Sequence, residues 1–280
     1  MQNDVRVWVD GRRLAADEPA ISVLDHGVTV GDGAFETCKV IDGKAFALTR
    51  HMRRLDRSLA GLGLASADHE RIGEGVRSVL DGEPIAFGRL RYSITAGAGP
   101  LGSDRLESPL TYIVTAARQP TPAPSVKVVV VPWTRNERSA TAGLKTTSYA
   151  DNVVALAYAA HRGGSEAIFA NTRGELCEAT GSNVFVVRDG VVLTPPLESG
   201  CLAGITRELT LQWCRAAGME VSEQPLPLEA ITTSDEVFLT SSTKDVMAVH
   251  AVDDVPMAPG PVTAAAAELF AVRGAESMDP

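Results

Sequence analysis

Residues 166–207 read EAIFANTRGELCEATGSNVFVVRDGVVLTPPLESGCLAGITR, and the rest of the chain is read outward from them. The turn tetrad Asn171-Thr172-Arg173-Gly174 sends the chain back into a new strand that carries Glu178. Residues 183–187 form an apolar strand that runs into Asp189-Gly190, and 191–193 return. Asp-Gly favours a two-residue hairpin because both central residues need positive φ. Gly204-Ile205-Thr206-Arg207 then opens a helix, with Glu208 in its first turn and Leu209, Leu211 and Trp213 as its buried side. The first N–H groups of a helix lack intrahelical partners and sit at the positive end of its dipole, so this turn is a natural seat for a phosphate.

Upstream, Lys145 follows Ala142-Gly143-Leu144 and precedes Thr146-Thr147-Ser148-Tyr149. A helix is predicted over 151–161, with Val153, Val154, Leu156, Ala157 and Ala160 as its apolar residues. Lysine is scarce: Lys39, Lys44, Lys127, Lys145 and Lys244 are the whole set. A lysine that ends an apolar segment and faces a helix start is open to desolvation, which favours the neutral amine of Schiff-base chemistry. A single loop lysine is ordinarily a surface charge, so the reading depends on the combination. A lysine, a strand carboxylate and a phosphate seat together suggest pyridoxal phosphate.

Gln119-Pro120-Thr121-Pro122-Ala123-Pro124 is the clearest boundary. Alternate prolines hold the backbone extended and remove ladder donors, as a stiff linker would. The expected organisation is a small N-terminal domain over 1–118, the linker 119–124 and a larger C-terminal domain over 125–280, which opens with an apolar strand at 126–131. In the N-terminal part, strands at 5–9, 38–41 and 44–48 flank the hairpin signals Asp10-Gly11 and Asp42-Gly43. Thr49 is placed to cap a helix whose apolar face is Met52, Leu55, Leu59 and Leu62. Arg50, Arg53, Arg54 and Arg57 crowd that helix, as a solvated basic face from which one arginine reaches inward to an anion. A second helix is expected over 67–81, and strands over 87–95 and 110–116. Arg89 and Arg91 share one strand face, either an outward polar face or a fork for carboxylates. Glycines at 27, 31 and 33 suit a loop bordering a ligand. Strands outnumber helices in both parts, so the fold class is α+β.

The net charge of −9 argues against partnership with nucleic acid or an anionic membrane surface. No apolar run reaches the roughly 20 residues of a membrane helix, and the first residues read as no signal peptide. Cys38, Cys177, Cys201 and Cys214 lack metal or redox spacing and are expected to be reduced, mostly buried thiols in a cytoplasmic protein. The five histidines show no metal spacing and receive no chemistry, and His26 is expected to be structural.

Five motifs in order resemble the class IV aminotransferase family of pyridoxal-phosphate enzymes. They are Gly31-Asp32-Gly33-Ala34-Phe35-Glu36-Thr37, His51-Met52-Arg53-Arg54-Leu55, Lys145, Glu178 with Asn183, and Gly204-Ile205-Thr206-Arg207. The resemblance spans nearly the whole chain. It implies a two-domain fold type IV architecture like that of D-amino-acid aminotransferase, and a homodimer. It also implies that Lys145 holds pyridoxal 5'-phosphate and moves the proton at the amine-bearing carbon. Glu178 would pair with the pyridine nitrogen, Tyr149 with the phenolic oxygen, and Arg54, Ile205, Thr206 and Thr243 with the phosphate.

Within the family the chain is most similar to aminodeoxychorismate lyases. Branched-chain aminotransferases usually follow Phe-Glu with glycine, where this chain has Thr37. D-amino-acid aminotransferases tend to place arginine where it has Ala96. In the lyase Thr37 would assist the leaving enol, and Arg91, with Arg89 as substitute, would bind a substrate carboxylate. Glu36 stands where some lyases carry threonine and is shared with transaminases, which leaves a transaminase as the alternative. The expected partner is therefore a small amine or amino-acid-like substrate bearing carboxylates.

Overall fold

Alternation along the N-terminal strands separates a face that packs on helices from a second face, on which Arg89 and Arg91 are exposed while Phe35 and Lys39 are buried. The computed structural model describes residues 4–280 and divides them into two units. The first unit holds the described residues up to Thr121, together with Leu144–Tyr149 and Met278–Pro280. Its elements are β1 (Arg6–Val9), β2 (Arg12–Leu14), α1 (His26–Thr29), β3 (Gly33–Ile41), β4 (Lys44–Ala45), α2 (Leu48–Gly61), α3 (His69–Leu80), β5 (Phe87–Thr95) and β6 (Thr111–Arg118). They form one antiparallel six-stranded sheet in the order β2-β1-β6-β5-β3-β4. Ala34, Cys38 and Val40 of β3, Leu90, Tyr92 and Ile94 of β5, and Tyr112, Val114 and Ala116 of β6 point to one side. There they pack with Leu55, Leu59, Ile72, Val76 and Val79 of the two long helices.

Asp10, Asp42 and Asp189 all have positive φ and each precedes a positive-φ glycine, so the three Asp-Gly pairs make the turns expected of them. Thr49 does not cap α2. The helix begins at Leu48, and its N-cap residue Ala47 has φ 54° and no side-chain cap bond. Among the crowded arginines Arg54 alone is buried, while Arg53 and Arg57 are not. His26 is buried, its Nε2 3.1 Å from the Pro100 carbonyl oxygen, in keeping with a structural role.

The second unit comprises Pro122–Gly143 and Ala150–Ser277. In chain order it contains β7 (Ser125–Arg135), α4 (Ala150–Ala160), β8 (Glu166–Asn171), β9 (Leu176–Ala179), β10 (Asn183–Arg188), β11 (Val191–Thr194), α5 (Ile205–Ala216), β12 (Val221–Glu223), α6 (Ala230–Thr233), β13 (Glu236–Ser241), β14 (Asp245–Val252), β15 (Val255–Pro256) and α7 (Pro261–Glu276). The sheet order is β12-β11-β10-β13-β14-β7-β8-β9, with β15 on β14. β7 pairs in parallel with both β8 and β14. It runs four residues beyond the apolar stretch 126–131, ending at Arg135. The apolar side expected of α4 is not its buried side. Asn152, Ala155 and Ala159 face inward, and Val153, Val154 and Leu156 are exposed. Small side chains let this helix lie close against β7 and β8, where Val129, Val131, Ala167 and Phe169 receive it. All four cysteines are buried and unpaired. Among the described residues no helix is long and apolar enough to cross a membrane.

Candidate active site

The second face of the first sheet carries one cluster. Phe35 lies opposite Ser93, Thr37 opposite Arg91 and Lys39 opposite Arg89 across β3 and β5. Residues 145–147 line the other edge of β3: the Phe35 N–H donates to the Lys145 carbonyl at 3.0 Å, and the Thr147 N–H donates to that of Gly33 at 2.8 Å. Gly31, at φ +70°, makes room for this segment, because a Cβ there would lie 2.7 Å from Ser148 Oγ. The Lys145 N–H donates to Ser58 Oγ at 3.1 Å.

These bonds bring three functional groups around one ring. Lys145 Nζ is 4.3 Å from the Phe35 centroid, and Arg91 Cζ is 3.7 Å from it. Tyr149 meets the same ring edge-on at 5.2 Å, with Lys145 Nζ 5.7 Å from its own centroid. Burial lowers the Arg91 pKa, a partial charge on Tyr149 raises it, and the like charge of Arg89 lowers it further; the net shift is downward.

The opposite face of β3 buries a charge. Glu36 alternates with Ala34 and Cys38, so it points into the core, where an unpaired carboxylate would be costly. Arg54 answers it with a fork: Nε donates to Oε1 at 2.8 Å and Nη2 to Oε2 at 2.7 Å. His51 Nδ1 is 2.7 Å from Oε2 and must be the donor, because a carboxylate only accepts. Burial pushes the Glu36 pKa up, but Arg54 and then His51 outweigh it and hold the carboxyl far below its usual range. His51 is itself held down by burial, against the pull of Glu36. Sequence reasoning assigned Arg54 to a phosphate and missed both partners. The strand alternation that sends Glu36 inward was the available signal.

In the second unit Glu178 stands on β9 opposite Phe169. Its Oε2 accepts the Leu202 N–H at 2.9 Å. Its Oε1 lies 3.4 Å from Arg135 Nε, an ion-pair distance without hydrogen-bond geometry. Arg135 is held in turn by the Phe169 ring, 4.3 Å from Cζ, and by Asn152 Oδ1, which accepts from Nη1 at 3.1 Å. Glu166 organises the turn after β9: it accepts from Thr180 Oγ1, the Gly181 N–H, Ser182 Oγ and Lys244 Nζ. Sequence reasoning missed Arg135, Asn152 and Glu166, which lie far apart in the chain.

Ile205 and Thr206 form the first turn of α5, and Gly204 gives that helix no side-chain cap. A Cβ at Gly204 would sit 1.9 Å from Asn183 Oδ1, while Asn183 Nδ2 donates to the Leu202 carbonyl at 2.8 Å. The same asparagine pairs with Thr240 across β10 and β13. Thr240 Oγ1 and Ser241 Oγ are buried without hydrogen-bond partners, close in sequence to Thr243 in the β13–β14 turn. An uncapped helix start and orphaned hydroxyls are a donor set that fits a phosphate. Lys145, Tyr149, Thr37, Arg54, Arg89 and Arg91 thus belong to the first unit, and Glu178, Ile205, Thr206 and Thr243 to the second. Among the described residues no cluster of histidine, cysteine or acidic side chains could hold a metal.

The profile of the family described as amino-transferase class IV matches residues 33–252. The chain is 29% identical over 272 residues to the D-alanine aminotransferase of Bacillus licheniformis, covering 92% of this chain and 93% of that one. It is 28% identical over 255 residues to the aminodeoxychorismate lyase of Bacillus subtilis, covering 89% and 87%. The solved branched-chain amino acid aminotransferase of Escherichia coli superposes with a TM-score of 0.87 at 25% identity, over 94% of this chain and 92% of that one. The α+β fold read from the sequence is that of the fold type IV enzymes. The chain therefore belongs to the class IV aminotransferase family, enzymes that work with pyridoxal 5'-phosphate and include both transaminases and lyases.

Proposed function

We propose that this enzyme is a 4-amino-4-deoxychorismate lyase, releasing 4-aminobenzoate and pyruvate. The observation that carries the reading is the cluster on Phe35. The Lys145 amine and the Arg91 guanidinium lie over one ring, and Thr37 stands opposite Arg91 in the sheet register. An amine, a hydroxyl and a guanidinium on one sheet face support a substrate that must lose a carbon proton, expel an oxygen leaving group and keep a carboxylate in place.

Lys145 would hold the cofactor covalently, Glu178 would face its ring nitrogen, Tyr149 its phenolic oxygen, and Arg54, Ile205, Thr206 and Thr243 its phosphate. When bound, pyridoxal phosphate supplies an electron sink for charge at the amine-bearing carbon. Once the substrate amine has replaced it on the cofactor, the freed Lys145 Nζ would take the proton from that carbon. Thr37 donates a hydrogen bond to the enolpyruvyl oxygen as its bond to the ring breaks. Arg91, backed by Arg89, neutralises a substrate carboxylate. Glu178, held by the Leu202 N–H and close to Arg135, would keep a proton on the ring nitrogen. Aromatisation of the substrate ring drives the reaction, so no keto acid is consumed.

A transaminase acting on branched-chain L-amino acids, D-amino acids or amines is the second reading. Relatives bearing transaminase names stand at the same level of identity as the lyase, and Glu36 is shared with transaminases. We also propose a cytoplasmic homodimer. Exposed Val153, Val154 and Leu156 on α4 support the dimer, and four unpaired thiols support the compartment. Sedimentation at twice 29.5 kDa tests the dimer, and a species at the single mass would refute it.

The deciding assay follows 4-aminobenzoate fluorescence from 4-amino-4-deoxychorismate with no keto acid added. Repeated turnover is expected. No product from cofactor-loaded protein would move the assignment to the transaminase, for which L- and D-amino acids with 2-oxoglutarate or pyruvate are the substrates to try.

A further inference from the structure

We propose that the tripeptide Met278–Pro280 is an external cap for α2, and that Asp279 acts through it as a positioning residue for Arg54. The proposal rests on the reading of Arg54 as a phosphate ligand.

α2 cannot cap itself. Ala47, its N-cap residue, is in the left-handed region and has no side-chain oxygen with which to accept from the first turn. The tripeptide does so instead. The Ala47 N–H donates to the Met278 carbonyl at 2.7 Å. The Thr49 N–H donates to Asp279 Oδ1 at 3.0 Å, and the Thr49 hydroxyl donates to Oδ2. Arg50 Nε donates to the Pro280 carbonyl at 2.7 Å. Thr49 is the second residue of the helix, whose N–H a capping side chain ordinarily receives, and a carboxylate there also suits the positive end of the dipole. These bonds set Met278–Pro280 in the first unit, although the chain up to Ser277 belongs to the second.

The capped turn leads directly to the buried charges. The His51 N–H bonds to the Ala47 carbonyl at 3.1 Å, and its Nδ1 lies on Glu36. Arg54 follows one helical turn later, with Nε and Nη2 on the same carboxylate. If the first turn frays, His51 leaves Glu36, water enters, and the fork that fixes the Arg54 guanidinium loosens. The N-terminal turn of α2 is therefore held by the end of the described chain, and the effect should fall on the phosphate alone.

The test compares two ligands in the full chain. Apo-protein is titrated with pyridoxal 5'-phosphate and with pyridoxal, which keeps the aldehyde for Lys145 but has no phosphate, and cofactor absorbance is read. Asp279→Ala is expected to weaken pyridoxal 5'-phosphate about fivefold, the scale of a lost helix cap, and to leave pyridoxal unchanged. Asp279→Asn, which keeps an acceptor oxygen, should recover most of the loss. Should Asp279→Ala not fold, Thr49→Val removes one of the two side-chain bonds and should give the same selective loss at smaller size. Equal losses for both ligands, or no loss for either, would overturn the cap while wild type still prefers the phosphorylated ligand. Wild type binding both ligands equally would instead overturn the phosphate role of Arg54, and the proposal with it.

Discussion

Thr37 lies on the same face of β3 as Phe35, and Lys145 Nζ lies over the Phe35 ring, but the two residues are expected to fail differently when replaced. Lys145→Ala should abolish both turnover and the visible absorption of bound cofactor; a surviving band would refute covalent attachment there. Thr37→Val should lower 4-aminobenzoate formation by about 10²–10⁴-fold, the range of a lost proton-transfer partner, with cofactor titration unchanged. Equal losses in rate and cofactor binding would make Thr37 a structural residue. On the other face, Glu36→Gln breaks a buried pair from one side and should cost about 3–5 kcal/mol in urea unfolding. The acid response follows from the direction of two shifts. The Glu36 carboxyl is held low, so its stabilisation is complete above the ordinary carboxylate value of about 4.3 and is lost as pH falls through its depressed folded value. His51 is also held low; the unfolded chain takes up its proton first, and stability declines as pH drops below about 6.5. Melting temperature against pH should show both declines in wild type, and Glu36→Gln should lack the lower one.

The start of α5 shows how closely one element is fitted to its neighbour. Gly204→Ala would bring a methyl 1.9 Å from Asn183 Oδ1, so a shift is forced. The substitution should cost about 1–3 kcal/mol, as overpacking does, and should weaken pyridoxal 5'-phosphate more than pyridoxal. A variant with wild-type affinity for both would remove the helix start from the phosphate seat. The start of the helix was legible in the sequence, because Gly204 ends the preceding loop and Glu208 falls in the first turn, whereas Leu209 and Leu211, two residues apart, do not mark one helix face. The Asp-Gly hairpins were legible because positive φ at two successive positions leaves few residue choices. Two elements were less so. In α4 the branched residues suggested a buried face, yet close approach to the sheet selects alanine, and the larger side chains stay outside. The cap of α2 could not be read locally, since its acceptor lies 230 residues away from Thr49. Lys145, Arg91 and Thr37 were named from motifs and a strand pattern. The Phe35 ring, where Lys145 and Arg91 meet, is set by the pairing of β3 with β5 and with the lysine segment, which no short pattern encodes.

Each of the two units has its own core, and each core contains thiols. Cys38 lies in the first unit, and Cys177, Cys201 and Cys214 lie in the second. Burial is the leading cause that raises all four thiol pKa values, Cys201 being pushed up to about 12. Alkylating reagents attack the thiolate, so the folded protein should resist iodoacetamide at neutral pH, and each cysteine should react only when its surroundings open. Mass spectrometry of the labelled peptides then gives a separate opening rate for each site. Glu36→Gln should accelerate Cys38 alone, because the strand that carries Cys38 also carries the lost charge; four rates rising together would show a shared opening. The four sulfurs thus make the native sequence its own set of timers, needing no added probe to record where the chain first lets solvent in.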